Sequence, residues 1–131
     1  MVSMLILGEN GVVKMNSLAY TPNGSGTIKL VSDYQFNLTD DNSVVTIPTG
    51  FVSDGSTIPR LLWPIFGSPF SPKLIHASIE HDFLISENYD GETRDLHFYS
   101  RLLKSGVLKW KAYLMYLGVV VWRKTKNLLD K

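Results

Sequence analysis

Apolar positions along this chain follow two different periods. In the first half they come as short runs and alternations. Met4-Leu5-Ile6-Leu7 and Val12-Val13-Lys14-Met15 flank Gly8-Glu9-Asn10-Gly11, a pattern that predicts a hairpin with a four-residue turn. Thr21-Pro22-Asn23-Gly24-Ser25-Gly26 reads as a loop by composition. From Thr27 to Leu38 the residues Ile28, Leu30, Tyr34, Phe36 and Leu38 fall on one side, with Ser32 breaking the row, which predicts one long strand with a single buried face. Asp40-Asp41-Asn42 turns the chain, and Ser43 to Phe51 returns as the antiparallel partner, with Pro48 marking an edge or a bulge near its end.

After residue 60 the spacing becomes helical. Ser71 is a suitable N-cap and Pro72 suits the first helical position, so a helix is expected over 72–86. Asn88-Tyr89-Asp90-Gly91 breaks it. Thr93 then caps a second helix over 93–105, stopped by Gly106, and a third runs over 108–128. Gly118 inside that last helix costs about 1 kcal/mol relative to alanine, which predicts a close helix crossing. Residues 112–122 are apolar nearly all round, which argues for burial as a central helix with solvated basic ends. Trp63 and Trp110 read as core anchors, and His76 and His97 as surface histidines. Strands followed by helices imply an α+β fold: a small N-terminal antiparallel β-sheet, then three packed C-terminal helices, in a single domain over 1–131. The strands span about residues 2–52 and a polar loop spans 53–60.

That loop, Gly50-Phe51-Val52-Ser53-Asp54-Gly55-Ser56-Thr57-Ile58-Pro59-Arg60, separates the two halves. Asp, Gly, Ser and Thr are turn and cap formers because their short side chains bond nearby backbone N–H groups. The loop lies between the apolar run ending at Phe51 and the group Leu61, Leu62, Trp63, Ile65 and Phe66. A polar turn anchored on both sides is rigid enough to carry function. On the loop alone the favoured reading is that Asp54 and Ser56 cap a short helical turn from about Thr57 to Trp63.

A length of 131 residues fits one core, and a net charge of +1 provides no bulk field for nucleic acid. The absence of cysteine excludes disulfides, thiolate metal sites and thiol nucleophiles. Met1–Leu7 is too short and too weakly basic for a secretory leader. The longest apolar run, Ala112 to Trp122, falls well short of the roughly 18 residues that span a bilayer.

Candidate chemistry lies on the first two long helices. At 3.6 residues per turn Ile75, Ser78, Ile79, Asp82, Phe83 and Ser86 share a stripe, and His81 stands beside Asp82. In the second helix Asp95 joins Phe98, Tyr99, Leu102 and Leu103. A carboxylate at a core-facing position costs several kcal/mol unless it meets a cation, a metal or several donors, so Asp82 and Asp95 are expected to have such partners or to approach each other. Two readings follow. In one, Asp54, His81, Asp82 and Asp95 form a catalytic site. His81 acts as base, or joins Asp82 and Asp54 in holding a divalent metal ion, and Ser56, Thr57 and Arg60 contact substrate. In the other, an arginine drawn from Arg60, Arg94 and Arg101 clamps the acids and locks helix to loop.

At these same residues the sequence resembles a family of small domains found widely in bacteriophages and prophages, domain of unknown function 1353. The family pattern of G-F-x-[ST]-D-x-x-S-[IV]-P-R, W-P, H-D-x-L, a D-x-x-F-Y helix and a final W-K-A-x-x-M-Y helix stands here as Gly50–Arg60, Trp63-Pro64, His81-Asp82-Phe83-Leu84, Asp95–Tyr99 and Trp110–Tyr116. The match covers about Gly50 to Trp122. Thr57 stands where the family has serine, with Ser56 one place earlier, and Ile85 stands where it often has tyrosine. The resemblance implies a phage setting and a shared polar site, in the host cytoplasm or on the virion. The expected function is a phage accessory protein with a hydrolase-like His/Asp site. The alternative is a non-enzymatic virion component, or a binder of a host factor or small ligand, in which the cluster is a lock. The basic ends of the last helix also suggest a membrane-surface factor, a reading the apolar circumference of 112–122 weighs against.

Overall fold

The computed structural model describes residues 18–129, apart from 25, 56 and 57. The chain forms two compact units, one holding the strands up to Leu38 and Asn42–Asp54, the other holding Thr39–Asp41 and the chain from Gly55 onward. The hairpin expected at residues 4–15 lies outside the described residues.

In the first unit β1 (Tyr20–Pro22), β2 (Ile28–Leu30) and β5 (Val52–Ser53) form an antiparallel sheet with β2 at its centre, and β3 (Tyr34–Asn37) pairs with β4 (Val44–Ile47). Ile28 stands opposite Pro22 on one side and Ser53 on the other, while Tyr34 faces Ile47 and Phe36 faces Val45. The alternation from 28 to 38 is realised in burial, since Ile28, Leu30, Tyr34, Phe36 and Leu38 are all inside. The single long strand is not. The chain leaves its pairing at Ser32-Asp33, where the apolar row lapses, and the two halves enter different sheets. Asp33 holds the break. One of its carboxylate oxygens accepts from the Thr49 hydroxyl and the Thr49 N–H, each at 2.7 Å, closing the open end of the β3–β4 pair. The hydroxyl bond, then the backbone bond, hold this exposed carboxyl below the usual range. Thr21 and Pro22, expected in a loop, belong to β1. Proline is tolerated there because, among the described residues, β1 is the edge strand of its sheet.

In the second unit a 3-10 turn (Arg60–Leu62) runs into α1 (Trp63–Phe66), followed by α2 (Ile75–Ser86), α3 (Gly91–Lys104) and α4 (Lys109–Leu129). Strands followed by packed helices make the fold α+β, with α2 packed on α3 and α3 on α4. Trp63 ties down the loop before it, its Nε1–H donating to the Ile58 carbonyl at 2.8 Å. Both predicted N-caps are displaced. The Ser71 hydroxyl turns back to the Ser68 carbonyl at 2.7 Å, and Leu74 takes the cap position of α2 without a side-chain bond. Asp90, not Thr93, caps α3, accepting from the Thr93 N–H at 3.2 Å. Aspartate is the stronger capping residue, and α3 starts earlier as a result. Gly106 ends α3 at φ +93°, as its position predicts.

The last helix corrects three expectations. Only Ala112, Met115 and Val119 of α4 are buried, on the side facing the core built from Phe98, Leu102 and Val107. Trp110 is no core anchor, being 63% exposed. A Cβ at Gly118 would meet nothing within 4 Å, so this glycine marks open space, not a close crossing. An apolar circumference does not bury a helix by itself; burial requires neighbours, and here they cover one side.

Candidate functional site

α2 has almost no polar face. Nine of its 12 residues are buried, among them Glu80, His81 and Asp82 in succession. Helical geometry points three consecutive side chains in three directions, so each needs its own partner. α3 supplies two of them. His81 Nε2 lies 2.9 Å from Asp95 Oδ1, and His97 Nε2 lies 2.7 Å from Glu80 Oε1. The exchange is crossed: each helix gives one acid and one imidazole, and each imidazole takes the acid of the other helix. All four residues are at most 4% exposed, so these bonds form where water does not compete.

Each carboxylate also meets one guanidinium. Arg123 of α4 donates from Nε to Asp95 Oδ2 at 2.8 Å, and Arg101 Nε stands 3.3 Å from Glu80 Oε2, a looser pair. Burial raises the Asp95 pKa, but the hydrogen bonds from His81 and Arg123 and their charges outweigh it and hold the carboxyl below its ordinary value. Arg123 can reach Asp95 because α3 opens with glycine. A Cβ at Gly91 would fall 2.7 Å from Arg123 Cδ and Nε.

His97 is engaged at both ring nitrogens, for Nδ1 accepts from the Thr39 N–H at 3.1 Å and lies 3.0 Å from the Thr39 hydroxyl. A backbone donor on Nδ1 puts the ring hydrogen on Nε2, facing Glu80. His81 is held through Nε2 by Asp95, and its ring rests on Phe98 with centroids 5.0 Å apart. His76, half-buried on α2, has its pKa lowered by burial and by the charge of Arg101, against the opposing effect of Glu80.

Of the residues expected in the site, His81 and Asp95 are brought into direct contact. Asp82 follows His81 on α2, just under the surface at 9% exposure. Asp54 is exposed at the end of β5 in the strand unit, Arg60 opens the 3-10 turn, and Ser56 and Thr57 lie outside the described residues. Among the described residues no group of three His, Asp or Glu side chains is placed to hold a metal ion. The expected arginine clamp on Asp95 exists but uses Arg123, which was not among the candidates, whereas Arg94 Nη1 bonds the Tyr89 carbonyl at 3.0 Å. His97 is not a surface residue. Glu80 was not singled out, although a signal for it was present: a helix reading Ile-His-Ala-Ser-Ile-Glu-His-Asp-Phe-Leu-Ile-Ser offers no continuous polar face on which Glu80 could point to water.

Residues 28–119 match the model of a family described as a protein of unknown function, DUF1353. Two proteins of Sinorhizobium fredii are similar, both described as uncharacterized. The chain is 36% identical to y4jT over 97 residues, covering 72% of this chain and 28% of that protein. It is 36% identical to y4iH over 69 residues, covering 51% of this chain and 28% of that protein. The chain thus spans just over a quarter of the length of either relative. No solved structure matches it. With the family model extending from β2 into α4, across both crossed His–acid pairs, the chain belongs to the DUF1353 family.

Proposed function

We propose that the chain is a hydrolase of phage or prophage origin in which His81, oriented by Asp95, activates a water molecule. One observation supports this most: the 2.9 Å bond from His81 Nε2 to Asp95 Oδ1, with Asp95 steadied from its other side by Arg123. A carboxylate at one ring nitrogen fixes the orientation of the His81 imidazole, the group that would take a proton from water. It also stabilises the imidazolium once formed. Asp82, beside His81 and near the surface, is the group for a substrate donor or a divalent ion; Asp54, Ser56, Thr57 and Arg60 are its candidate companions. The phage setting rests on the motif resemblance. His97, held at both ring nitrogens, has a structural role in this scheme.

A second reading is favoured by the neutralisation of each buried carboxylate by an arginine: a non-enzymatic phage protein, a virion part or a binder of a host factor or small ligand, in which the cluster only locks the helices. The purified chain offered p-nitrophenyl butyrate, a p-nitroanilide and bis-p-nitrophenyl phosphate, with and without Mg, Mn, Ca and Zn ions, separates the two. The expected result is turnover of one substrate, lowered about 100-fold or more by His81→Asn and by Asp95→Asn with melting checked for each. No turnover of any substrate, or unchanged turnover in a folded His81→Asn, gives the case to the lock.

A further inference from the structure

α4 turns its apolar residues in two opposite directions. Ala112, Met115 and Val119 face the core. At 100° per residue, Trp110, Leu114, Leu117, Val121 and Leu128 fall within about 40° of one line on the other side. That line is open to solvent, with Trp110, Val121 and Leu128 at 63%, 61% and 70% exposure. From Trp110 to Leu128 it runs about 27 Å at the rise of an α-helix. A helix on the surface of a protein needs one apolar stripe to join the core, and a second one, uncovered, marks a contact surface. The apolar circumference of 112–122 speaks against a lipid-surface role only if it is buried, and it is buried on one side alone.

Charge identifies what fits the open side. α4 carries Lys109, Lys111, Arg123, Lys124 and Lys126 and no acid, whereas the chain as a whole has a net charge of only +1. Arg123 is spent on Asp95. Of the four lysines, Lys109, Lys124 and Lys126 are exposed and Lys111 is half-buried. Lys109 and Lys111 stand on either side of Trp110 at one end of the stripe, and Lys124 lies beside it near the other. A second copy would present the same lysines and no acid, so like charges would meet with nothing to neutralise them. An anionic surface would be attracted instead. Apolar side chains flanked by a tryptophan and by lysines with long hydrocarbon stems suit the boundary between lipid headgroups and acyl chains. No described helix is long and apolar enough to cross a membrane, so α4 would lie along such a surface.

We propose that α4 docks the protein on an anionic phospholipid membrane. Trp110, Leu114, Leu117, Val121 and Leu128 enter the headgroup boundary, and Lys109, Lys111 and Lys124 meet the lipid phosphates. The core side of α4 and its bond from Arg123 to Asp95 stay as they are, so docking does not depend on His81 being a base.

The test is flotation of the intact chain with vesicles of phosphatidylglycerol and phosphatidylcholine mixed, and of phosphatidylcholine alone. Binding is expected to the mixed vesicles in preference, to weaken as salt rises from about 0.05 M to 0.5 M, and to shift tryptophan emission to the blue. Trp110→Phe is expected to lose most of that shift. Each lysine at an anionic surface contributes about fivefold, so Lys109→Gln/Lys111→Gln/Lys124→Gln should bind roughly 100-fold more weakly. Leu114→Glu/Val121→Glu should not float at all. All these positions lie off the core face of α4, and circular dichroism melts of each variant should match the parent. An absence of flotation with the mixed vesicles overturns the inference. So does equal binding to both vesicle types, or binding that survives Leu114→Glu/Val121→Glu in a folded protein. A dimer in sedimentation equilibrium, dissolved by Leu114→Glu/Val121→Glu, assigns the stripe to a second copy and overturns it as well.

Discussion

Replacing Gly91 with alanine should break the ion pair between Arg123 and Asp95 without touching either residue. The new methyl carbon would fall 2.7 Å from Arg123 Cδ and Nε and 2.8 Å from Cζ, well inside contact distance, so the guanidinium must leave. Asp95 then loses its 2.8 Å bond and keeps only His81. Removing one partner from a fully buried pair costs about 3–5 kcal/mol. The Arg123 side chain is 19% exposed and the imidazole remains, so the cost of a lost hydrogen bond to a charged group, about 1.5–3 kcal/mol, is the better guide. Against it stands the preference of helices for alanine over glycine, at most about 1 kcal/mol and less at the first position of α3. The net expectation is a loss of about 1–2 kcal/mol at neutral pH, read as a lower urea midpoint by far-ultraviolet circular dichroism. The same substitution in an Arg123→Ala background meets no guanidinium and should be neutral or slightly stabilising. Equal costs in the two backgrounds, or an unchanged midpoint for Gly91→Ala alone, would refute the proposed dependence of the pair on this glycine.

Three further outcomes are expected. Gly55→Ala places a methyl group 2.6 Å from Pro69 Cγ and 3.1 Å from Phe70 Cζ at φ +70°, and should cost about 2–4 kcal/mol through backbone strain and overpacking, seen as a lower melting temperature; a melt equal to that of the parent would contradict the geometry. His97→Ala removes the 2.7 Å partner of the buried Glu80 carboxylate and should cost about 2–4 kcal/mol in urea denaturation, whereas a change below about 0.5 kcal/mol would mean the Glu80–His97 bond locks nothing. The folded pKa of His76 is depressed, so below about pH 6.5 the unfolded chain takes up the proton first. Its contribution is therefore complete above that pH and declines as the pH falls toward the folded value. Nuclear magnetic resonance titration should place its midpoint below 6.5, and a midpoint above it would reverse the sign.

Burial along the strands was legible because alternation is a strong constraint: a one-residue slip would send Ile28, Leu30, Tyr34 and Phe36 to the wrong face. Pairing was not, since periodicity is silent on where a strand stops bonding to one neighbour and starts with another. That was decided at Ser32-Asp33 by a side-chain bond to a residue 16 positions away. Helix positions were clear from spacing and breakers, but caps were not, because Asp90 and Thr93 compete for one set of N–H groups and only geometry shows which accepts. In the candidate site, the inward placement of Asp95 and its need for a partner were readable. The identity of the partners was not. Arg123 is 28 residues away on a helix whose packed face depends on the others. His97 was misread because it sits off the α3 stripe, and its anchor, Thr39, comes from a distant turn.

The exchange of acid and imidazole between α2 and α3 constrains how the two helices can be aligned. Sliding one by a single turn would part both couples together, and no intermediate position satisfies one of them. The hairpin is therefore keyed to one alignment in steps of a whole turn. Drift in the sequence at positions 80, 81, 95 and 97 should then be tolerated in matched couples and punished singly. A designer seeking to move His81 would have to move the whole hairpin with it.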